Sequence, residues 1–550
     1  MPHYRLNNIK AALETPVETV LQNIQRDLPQ DVTNFKLVKK SLDARNKNNL
    51  HFVYAIEFDT ATPLPQNHHY EPQLIAVQPV ADTVGTTIAN HSESQPNQTQ
   101  ATFPPIIVGS GPAGMMAALC LAEAGLNPII IERGSSVEER QTAVNKFWQT
   151  GELDEQTNVQ FGEGGAGTFS DGKLMTGIKK DEYTAKVLHE FAAAGAPEEI
   201  LYLAKPHIGT DKLVTMTQNI RKKIISLGGT YLFNTQLTDI HPNENGTITL
   251  TTHPTSAHHH KEQSTPLLIT NHLILALGHS ARDTFKMLYN RGVEMSQKPF
   301  AVGVRIEHKQ SAINLAQYGK KYHNSAYLGA ADYKLATHLP DNRALYTFCM
   351  CPGGVVVGAT SLKGHVVTNG MSEFARDKEN ANSALLVNVD ERDFGSTHPL
   401  AGIAFQEKLE QKAYELGGKN YYAPVQTVGD LLQGKPTQKL GSITPSYRPG
   451  VTPSDFSKLF PQAIYETLQK GIKEMDKKLH GFADKEAVLT AVESRSSSPV
   501  RMYRDENHES NIKGIYPIGE GAGYAGGITS AAADGVKTAK LILTQGHKLI

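Results

Sequence analysis

The stretch Ile106–Gly134, IIVGSGPAGMMAALCLAEAGLNPIIIERG, limits the folds open to this chain more than any other. It is the most apolar run of the sequence, so a membrane-spanning helix is the first reading to test. Such a helix needs about 20 consecutive, predominantly apolar residues. Gly109, Gly111-Pro112, Gly114, Glu123, Gly125 and Asn127-Pro128 break the run repeatedly, and the membrane reading fails. A strand–turn–helix–strand unit fits residue by residue. Ile106-Ile107-Val108 has the β-branched content of a buried parallel strand. Gly109-Ser110-Gly111-Pro112-Ala113-Gly114 matches G-x-G-x-x-G. Met115–Ala124 reads as a helix, and Ile129-Ile130-Ile131 as a second strand that ends at Glu132 and Arg133.

Each part of this unit has a physical task. Gly109 permits a tight turn, Gly111 lets backbone approach a pyrophosphate, and Gly114 lets the helix lie close to its strand. Pro112 and Ala113 lie in the turn before the helix, whose free N–H groups and positive dipole end suit phosphates. Glu132 stands 23 residues after Gly109, where a carboxylate can accept bonds from ribose hydroxyls. A lone glycine fingerprint could be any glycine-rich turn. Strand, turn, helix, strand and terminal acid together predict a dinucleotide site.

Two distant segments add to it. NHLILALGHS (271–280) reads as a buried strand ending in Gly278, and GIYPIGEGAGYAGGITSAAAD (514–534) as a strand, an acid, a glycine cluster and a small-residue helix. The threefold arrangement resembles the glutathione-reductase-like class of FAD proteins. That resemblance implies that the last motif, with Gly519, Glu520, Gly527 and Ile528, crosses the ribityl chain and points a helix at the flavin pyrimidine. The class usually has Asp where this chain has Glu520. Longer motifs narrow the resemblance: VQFGEGGAGTFSDGKL (159–174), LGHSARDTF (277–285), FCMCPGG (348–354), ESRSSSPVR (493–501), GEGAGYAGGI (519–528) and KKSLDARNK (39–47). They are similar to the bacterial uncharacterised FAD-dependent dehydrogenase family over nearly the whole chain. The resemblance implies non-covalently bound FAD, an α/β Rossmann-type domain with a parallel central sheet, and hydride exchange through flavin N5 with a small-molecule substrate. An FAD-containing binding or RNA-modification protein and a lipid-type C=C reductase are the alternatives. No second strand–GxGxxG–helix is found, so NAD(P)H is expected only as a transient reductant.

At 550 residues the chain calls for two or three domains. Residues 1–88 read as a small α+β domain, with a helix pattern over Pro16–Leu28 and strand patterns at Phe35–Lys39 and His51–Phe58. The polar tract Ala89–Thr102 reads as part of a linker spanning 89–103. The FAD-binding domain is expected over 104–290. It includes a helix at Asp211–Leu227 and accessory strands at Thr230–Ile240 and Gly246–Thr252. An inserted mixed substrate domain with irregular patterning fills 291–505, and 506–550 returns to the FAD domain. The chain is thus α/β around its sheet and α+β overall.

Charge and cysteine content exclude several classes. A net charge of −1 gives no broad basic field for a nucleic acid. Three cysteines make no disulfide framework, and the opening residues lack a signal-peptide apolar core, so a cytoplasmic location is expected. The run His258-His259-His260 falls in a polar loop, and adjacent histidines on a strand cannot all face one metal; no metal site is expected.

The chemistry-bearing candidates are few, and none is identified as the catalytic acid or base. In Gly162–Thr168, Gly164, Gly165, Gly167 and Thr168 are expected beside the pyrophosphate and flavin, where backbone must come close. Ser170, Asp171 and Lys173 follow, with Lys173 the expected cofactor contact and an ordinary turn the alternative for all three. Cys349 and Cys351 are either a redox pair or packing and pocket lining; a C-x-C disulfide is a strained ring. Arg282, Asp283, Arg495 and Arg501 could hold an anionic substrate or simply be solvated. His279 follows the end of a buried strand and could touch cofactor, substrate or only backbone. The oligomeric state is left open.

Overall fold

Three-residue runs of Ile, Leu and Val cannot stand alone and must pair with one another. The computed structural model describes residues 1–28, 32–64, 72–75, 103–175, 181–256, 267–340 and 342–546. In it Ile106–Val108, Ile129–Ile131, Thr230–Leu232, Leu273–Leu275 and Ile515–Pro517 form one sheet. Every pairing in that sheet is parallel. Ile106–Val108 lies between Ile129–Ile131 and Leu273–Leu275, so connections leave that point in opposite directions. A crevice therefore opens at the carboxyl ends of the central pair, where open α/β sheets bind ligands.

Alternation along each strand divides the core. Ile107, Ile130 and Ile274 face the helices Pro112–Glu123, Thr210–Ser226 and Ile528–Gly546. Ile106, Val108, Ile131 and Leu275 face the other way. There they meet helix Arg282–Asn290 and an antiparallel accessory sheet of Thr235–Pro242, Ile248–Pro254 and Leu268–Thr270. Burial on both faces explains the near-continuous apolar runs. The last helix closes the domain through contact of backbones: a Cβ on Gly535 would stand 2.1 Å from the Ala113 carbonyl oxygen. This is a Rossmann-type architecture.

Two sequence expectations need revision. Thr230–Ile240 is not one accessory strand. Thr230–Leu232 completes the parallel sheet and Thr235–Pro242 enters the accessory sheet, with Asn234 turning the corner at φ 51°. Asparagine tolerates that left-handed conformation better than most residues. Nor is the region after residue 290 irregular. It holds a seven-stranded sheet in the order Ala336–His338, Ala344–Cys351, Asn380–Val389, Phe300–Lys309, Val488–Glu493, Ala423–Thr427, Val451–Pro453. Its central strands are buried along nearly their whole length on both faces, so no polar–apolar alternation marks them. Buried Arg305, Glu307, Asn382 and Ser383 hide the pattern further.

At the amino end, helix Val17–Asp27 packs on a sheet of His3–Ala12, Thr33–Asp43, His51–Asp59 and Gln73–Ile75. That sheet docks on the rest by backbone pairing: Lys40 N–H donates to the Tyr202 carbonyl at 2.8 Å, and Ala204 N–H to the Lys40 carbonyl at 2.9 Å. The expected linker Ala89–Thr102 and the His258–His260 loop lie outside the described residues.

Arg282 and Arg495 are not solvated, and Arg495 also borders the cavity at the strand ends. Both are buried against Glu410 of helix Ala401–Gly417. Arg282 reaches its oxygens at 2.9 and 2.7 Å, Arg495 at 3.0 and 3.0 Å, and the Ser494 hydroxyl at 2.7 Å. The cluster joins a helix of the first domain to two segments of the inserted one. Asp283 instead pairs with Arg133 at 2.6 Å, and Arg501 lies 4.4 Å from the Tyr524 ring centroid.

Burial pushes the Glu410 carboxyl up, but the two guanidinium groups outweigh it and hold it well below the usual carboxylate value of 4.5. A depressed folded-state value means that this stabilisation is complete above pH 4.5 and declines as pH falls below it. Glu410→Gln leaves two buried cations facing an amide, and breaking such a cluster costs about 3–5 kcal/mol. Urea unfolding at pH 7 should show that loss. The stability difference between wild type and variant should shrink as pH drops through the carboxylate range.

Candidate functional site

The crevice is built where strand ends meet glycine turns. Gly109 sits at φ 102°, and a Cβ there would lie 2.3 Å from the Ala276 carbonyl oxygen, so the first and fourth strand ends touch through bare backbone. A Cβ on Gly114 would lie 1.9 Å from the Gly109 carbonyl oxygen, which is why the helix can start so close to its strand. Gly111 caps helix Pro112–Glu123, with Pro112 in its first turn. Proline costs nothing there, and the neighbouring N–H groups have no intrahelical partners. A cavity of about 1030 Å³ opens in front of them. Ligand sites usually span about 300–1,000 Å³, so this one is sized for a large ligand.

Most of the residues singled out in the sequence meet around that cavity. Gly109, Gly111, Pro112 and Ala113 line it from the first turn, and Glu132 and Arg133 from the second strand. Gly165, Gly167 and Lys173 reach it from the glycine loop, and Gly278 from the end of the fourth strand. Gly519, Glu520, Gly527 and Ile528 line it from the carboxyl-terminal turn and helix start. Gly114, Gly164 and Thr168 stand behind the wall. A Cβ on Gly164 would meet the Thr168 hydroxyl at 2.1 Å, and Thr168 is buried.

Two buried charges hold the turns in register. One Glu132 oxygen accepts Ser110 N–H at 2.9 Å and its hydroxyl at 2.8 Å. The other accepts Gly134 N–H at 2.9 Å and Gly162 N–H at 3.0 Å. A ribose hydroxyl reaching Glu132 would share oxygens that already take four protein donors. Arg140, fully buried in helix Val137–Thr150, donates to the carbonyls of Asn158, Val159, Gly162, Glu163 and Gly165 at 2.6–3.2 Å. Sequence reasoning passed over Arg140. Its partners are carbonyls, so no acid at a telling spacing marks it.

The cavity lining also carries titratable side chains. Lys173 pairs with Asp171 at 2.7 Å and donates to the Met350 carbonyl. Buried Asp171 also takes Arg376 at 2.9 and 2.6 Å. Burial raises the Asp171 carboxyl, but these two cations win and hold it at about 2. Cys349 and Met350 line the cavity, and Cys349 has φ 44° within a bulge of strand Ala344–Cys351. Beneath it the fully buried Arg305 donates to the Cys349 carbonyl at 2.9 Å, to Asn369 at 3.1 Å and to Glu493 at 3.1 Å. Burial outweighs Arg305 at Glu493, so that carboxyl keeps its proton to higher pH than usual. Glu493 also lines the cavity. It was visible in the ESRSSSPVR motif, but nothing there distinguished it from the arginines.

His279 lines the cavity as well, with Nδ1 at 3.6 Å from a Glu520 oxygen. Its Nε2 is buried and has no protein partner. Buried polar atoms in native proteins are rarely left so, and a ligand group or water completes them. Among the described residues no cluster of His, Cys, Asp or Glu has the arrangement of a metal site, and no helix is long and apolar enough to cross a membrane.

Comparison with known proteins follows the same division of the chain. Residues 102–145 match the family described as FAD binding domain, and residues 299–496 the family FAD-dependent protein, C-terminal domain-like. An "Uncharacterized protein" of Clostridium beijerinckii is 42% identical over 544 residues, 98% of each chain. Among solved structures, halogenase PltM is 10% identical, with a TM-score of 0.38 over 81% of this chain and 70% of that one. A variant of E. coli quinol fumarate reductase FrdA is 11% identical, with a TM-score of 0.34 over 81% and 70%. Likeness that loose bears no weight for the site. The near full-length identity does: this chain belongs to the family of the C. beijerinckii protein, a family of FAD-binding flavoproteins.

Proposed function

We propose that the protein is an FAD-dependent oxidoreductase of the glutathione-reductase-like class, acting on a small molecule held between the parallel sheet and the seven-stranded sheet. The observation that carries this reading is the mixed lining of the cavity. Separate glycine turns bring bare backbone to it at Gly109, Gly111, Gly165, Gly278 and Gly519, and Lys173, Cys349 and Glu493 bring titratable side chains. Bare backbone suits a large planar and phosphorylated cofactor; titratable side chains suit a reacting substrate.

The residues fit FAD on two counts. Gly109 and Gly114 let backbone pack on backbone, and Gly111 brings the helix start to the cavity with no side chain in between. The unpartnered Nε2 of His279 awaits a polar group from outside the protein. In this reading Gly111–Ala113 hold the pyrophosphate, Glu132 and Arg133 stand by the adenosine ribose, and Gly165 and Gly167 follow the cofactor's edge. Glu520 meets the ribityl chain, and the start of helix Ile528–Gly546 faces the pyrimidine. Bound FAD supplies the two-electron hydride acceptor or donor. Lys173, fixed by Asp171, offers a cation to an anionic substrate group, and Glu493 holds or releases a proton in the same cavity. NAD(P)H, with no second nucleotide-binding unit, would enter this cavity only transiently. Residues 291–505 serve as the substrate and cap domain, and the reduced cysteines fit a cytoplasmic setting.

The purified protein should be yellow and release intact FAD on acid treatment, identified by chromatography. A colourless protein that takes up no added FAD overturns the reading. Anaerobic mixing with NADH, NADPH and pooled metabolites then identifies the electron donor by bleaching of the flavin band.

Gly527 offers a cleaner test, because a Cβ there meets nothing within 4 Å. Gly527→Val should therefore leave the thermal unfolding midpoint of the FAD-free protein unchanged while its side chain enters the cavity. A helix-end interaction is about 0.3–2 kcal/mol, so FAD affinity should fall by roughly tenfold, read by fluorescence titration. Unchanged affinity would place the cofactor away from this helix.

A further inference from the structure

Cys349 and Cys351 are brought together by a backbone irregularity. In a regular strand, positions i and i+2 point the same way but stand apart. Here the pairing of Ala344–Cys351 with Asn380–Val389 shifts register between Phe348 and Cys351. Cys349 takes φ 44°, a conformation that costs about 1–3 kcal/mol for a residue other than glycine. The Cys351 thiol consequently lies against Cys349 and donates to its carbonyl oxygen at 3.3 Å. Cys349 is half-buried and lines the cavity, whereas Cys351 is fully buried behind it.

The charges around the pair favour a thiolate at the cavity side. The hydrogen bond from Cys351 pulls the Cys349 thiol well below its usual value of 9.0; burial opposes this, and Arg305 and Lys173 add to it. Asp171 and Glu493 are the acids facing the pair, the first neutralised by Lys173 and Arg376, the second holding Arg305. Cys351 moves the other way, raised by its bond to Cys349 and by burial. The pair therefore loses its first proton early and keeps its second. Thiolate character and access are what make a cysteine reactive, and here both belong to Cys349.

We propose that Cys349 and Cys351 are a redox-active dithiol in the wall of the cofactor cavity, with Cys349 the attacking thiolate, Cys351 the resolving thiol and a small disulfide the substrate. The Cys349 thiolate attacks one substrate sulfur and the substrate S–S bond breaks. Half of the substrate becomes bonded to Cys349, and the other half leaves as a thiolate that takes a proton from water. Cys351 then gives up its proton and attacks the Cys349 sulfur, forming the Cys349–Cys351 bond and releasing the second half as a thiol. The cysteines lose two electrons and the substrate disulfide gains them. Return to the dithiol takes two electrons from a hydride-reduced flavin in the same cavity, and that step alone rests on the function proposed above.

The protein as purified, reduced with dithiothreitol and desalted without oxygen, is mixed with oxidised glutathione and read by peptide mass spectrometry. The wild-type peptide carrying both cysteines should lose two hydrogens. Cys351→Ser should instead trap glutathione on Cys349, and Cys349→Ser should do neither. Iodoacetamide at pH 6 should label Cys349 at least about tenfold faster than Cys351. A wild-type pair that stays reduced, or a Cys351→Ser protein that traps no glutathione, overturns the proposal. Dithionite titration reads the link to the cofactor: oxidised wild type should take up twice the electrons per flavin that Cys349→Ser takes. The two readings fail separately. A colourless protein that still forms the internal disulfide keeps the dithiol and loses the cofactor, whereas a yellow protein inert to glutathione disulfide does the reverse.

Discussion

The site depends first on the Glu132 carboxylate and the Arg140 guanidinium, which hold chain segments that have little reason to stay together. Glycine-rich turns have few side chains with which to pack, and each residue fixed costs about 1–2 kcal/mol of backbone entropy. Glu132 meets this by gathering N–H groups from Ser110, Gly134 and Gly162, one from each of the turns that border the crevice. Arg140 does the complementary work on the carbonyls of residues 158–165. Burial draws the Arg140 pKa down to about 10, still high enough to keep its charge at neutral pH. A buried charge is tolerable only when its hydrogen-bonding capacity is filled, and here backbone fills it.

A second set of buried charges fixes the two large sheets relative to each other. Glu410 lies between Arg282 and Arg495, and Arg495 also donates to the hydroxyls of Ser280 at 3.1 Å and Ser361 at 2.6 Å. Ser280 in turn donates to Gln160 at 2.9 Å, beside the glycine loop. One network thus runs from the inserted domain to the turn region. Residues 494–502 pass through it and then pair with Met295–Gln297, the point at which the chain left the first domain. Exit and return are adjacent, which lets the insertion be large without disturbing the parallel sheet.

The sequence made the first domain legible because its signals are local. The strand–glycine–helix–strand unit at 106–132, the strand before Gly278 and the helix after Gly527 are each marked by residues within a few positions of one another. The seven-stranded sheet carried no such mark, since strands buried on both faces have no alternation and Arg305 or Glu307 in their midst look like surface residues. The buried cluster of Arg282 and Arg495 was hidden for a related reason. Their shared partner Glu410 is more than 80 residues from either, in a helix that offers two other acids, Glu407 and Glu415. Cys349 and Cys351 could be seen as a pair, but whether they touch turned on a bulge that sequence does not encode locally.

The same bulge shows how the inserted domain serves the crevice. A regular strand would have placed the Cys349 carbonyl in the ladder with Asn380–Val389. The irregularity turns it instead toward Arg305, and Lys173 takes the next carbonyl, that of Met350. Two cations thereby bind consecutive backbone groups on either side of one sulfur. Lys173 belongs to the glycine loop of the first domain and Arg305 to the central strand of the second, so the environment of Cys349 exists only when both domains are folded and docked. The amino-terminal sheet adds a third element. Its Arg5, Val38 and Lys39 line the same cavity, and its edge is held by the Lys40 pairing with residues 202–204. No single segment of the chain contains a working wall. The proposed chemistry is therefore tied to completed folding of the whole protein, and the surroundings of Cys349 are not assembled before the cavity that confines it.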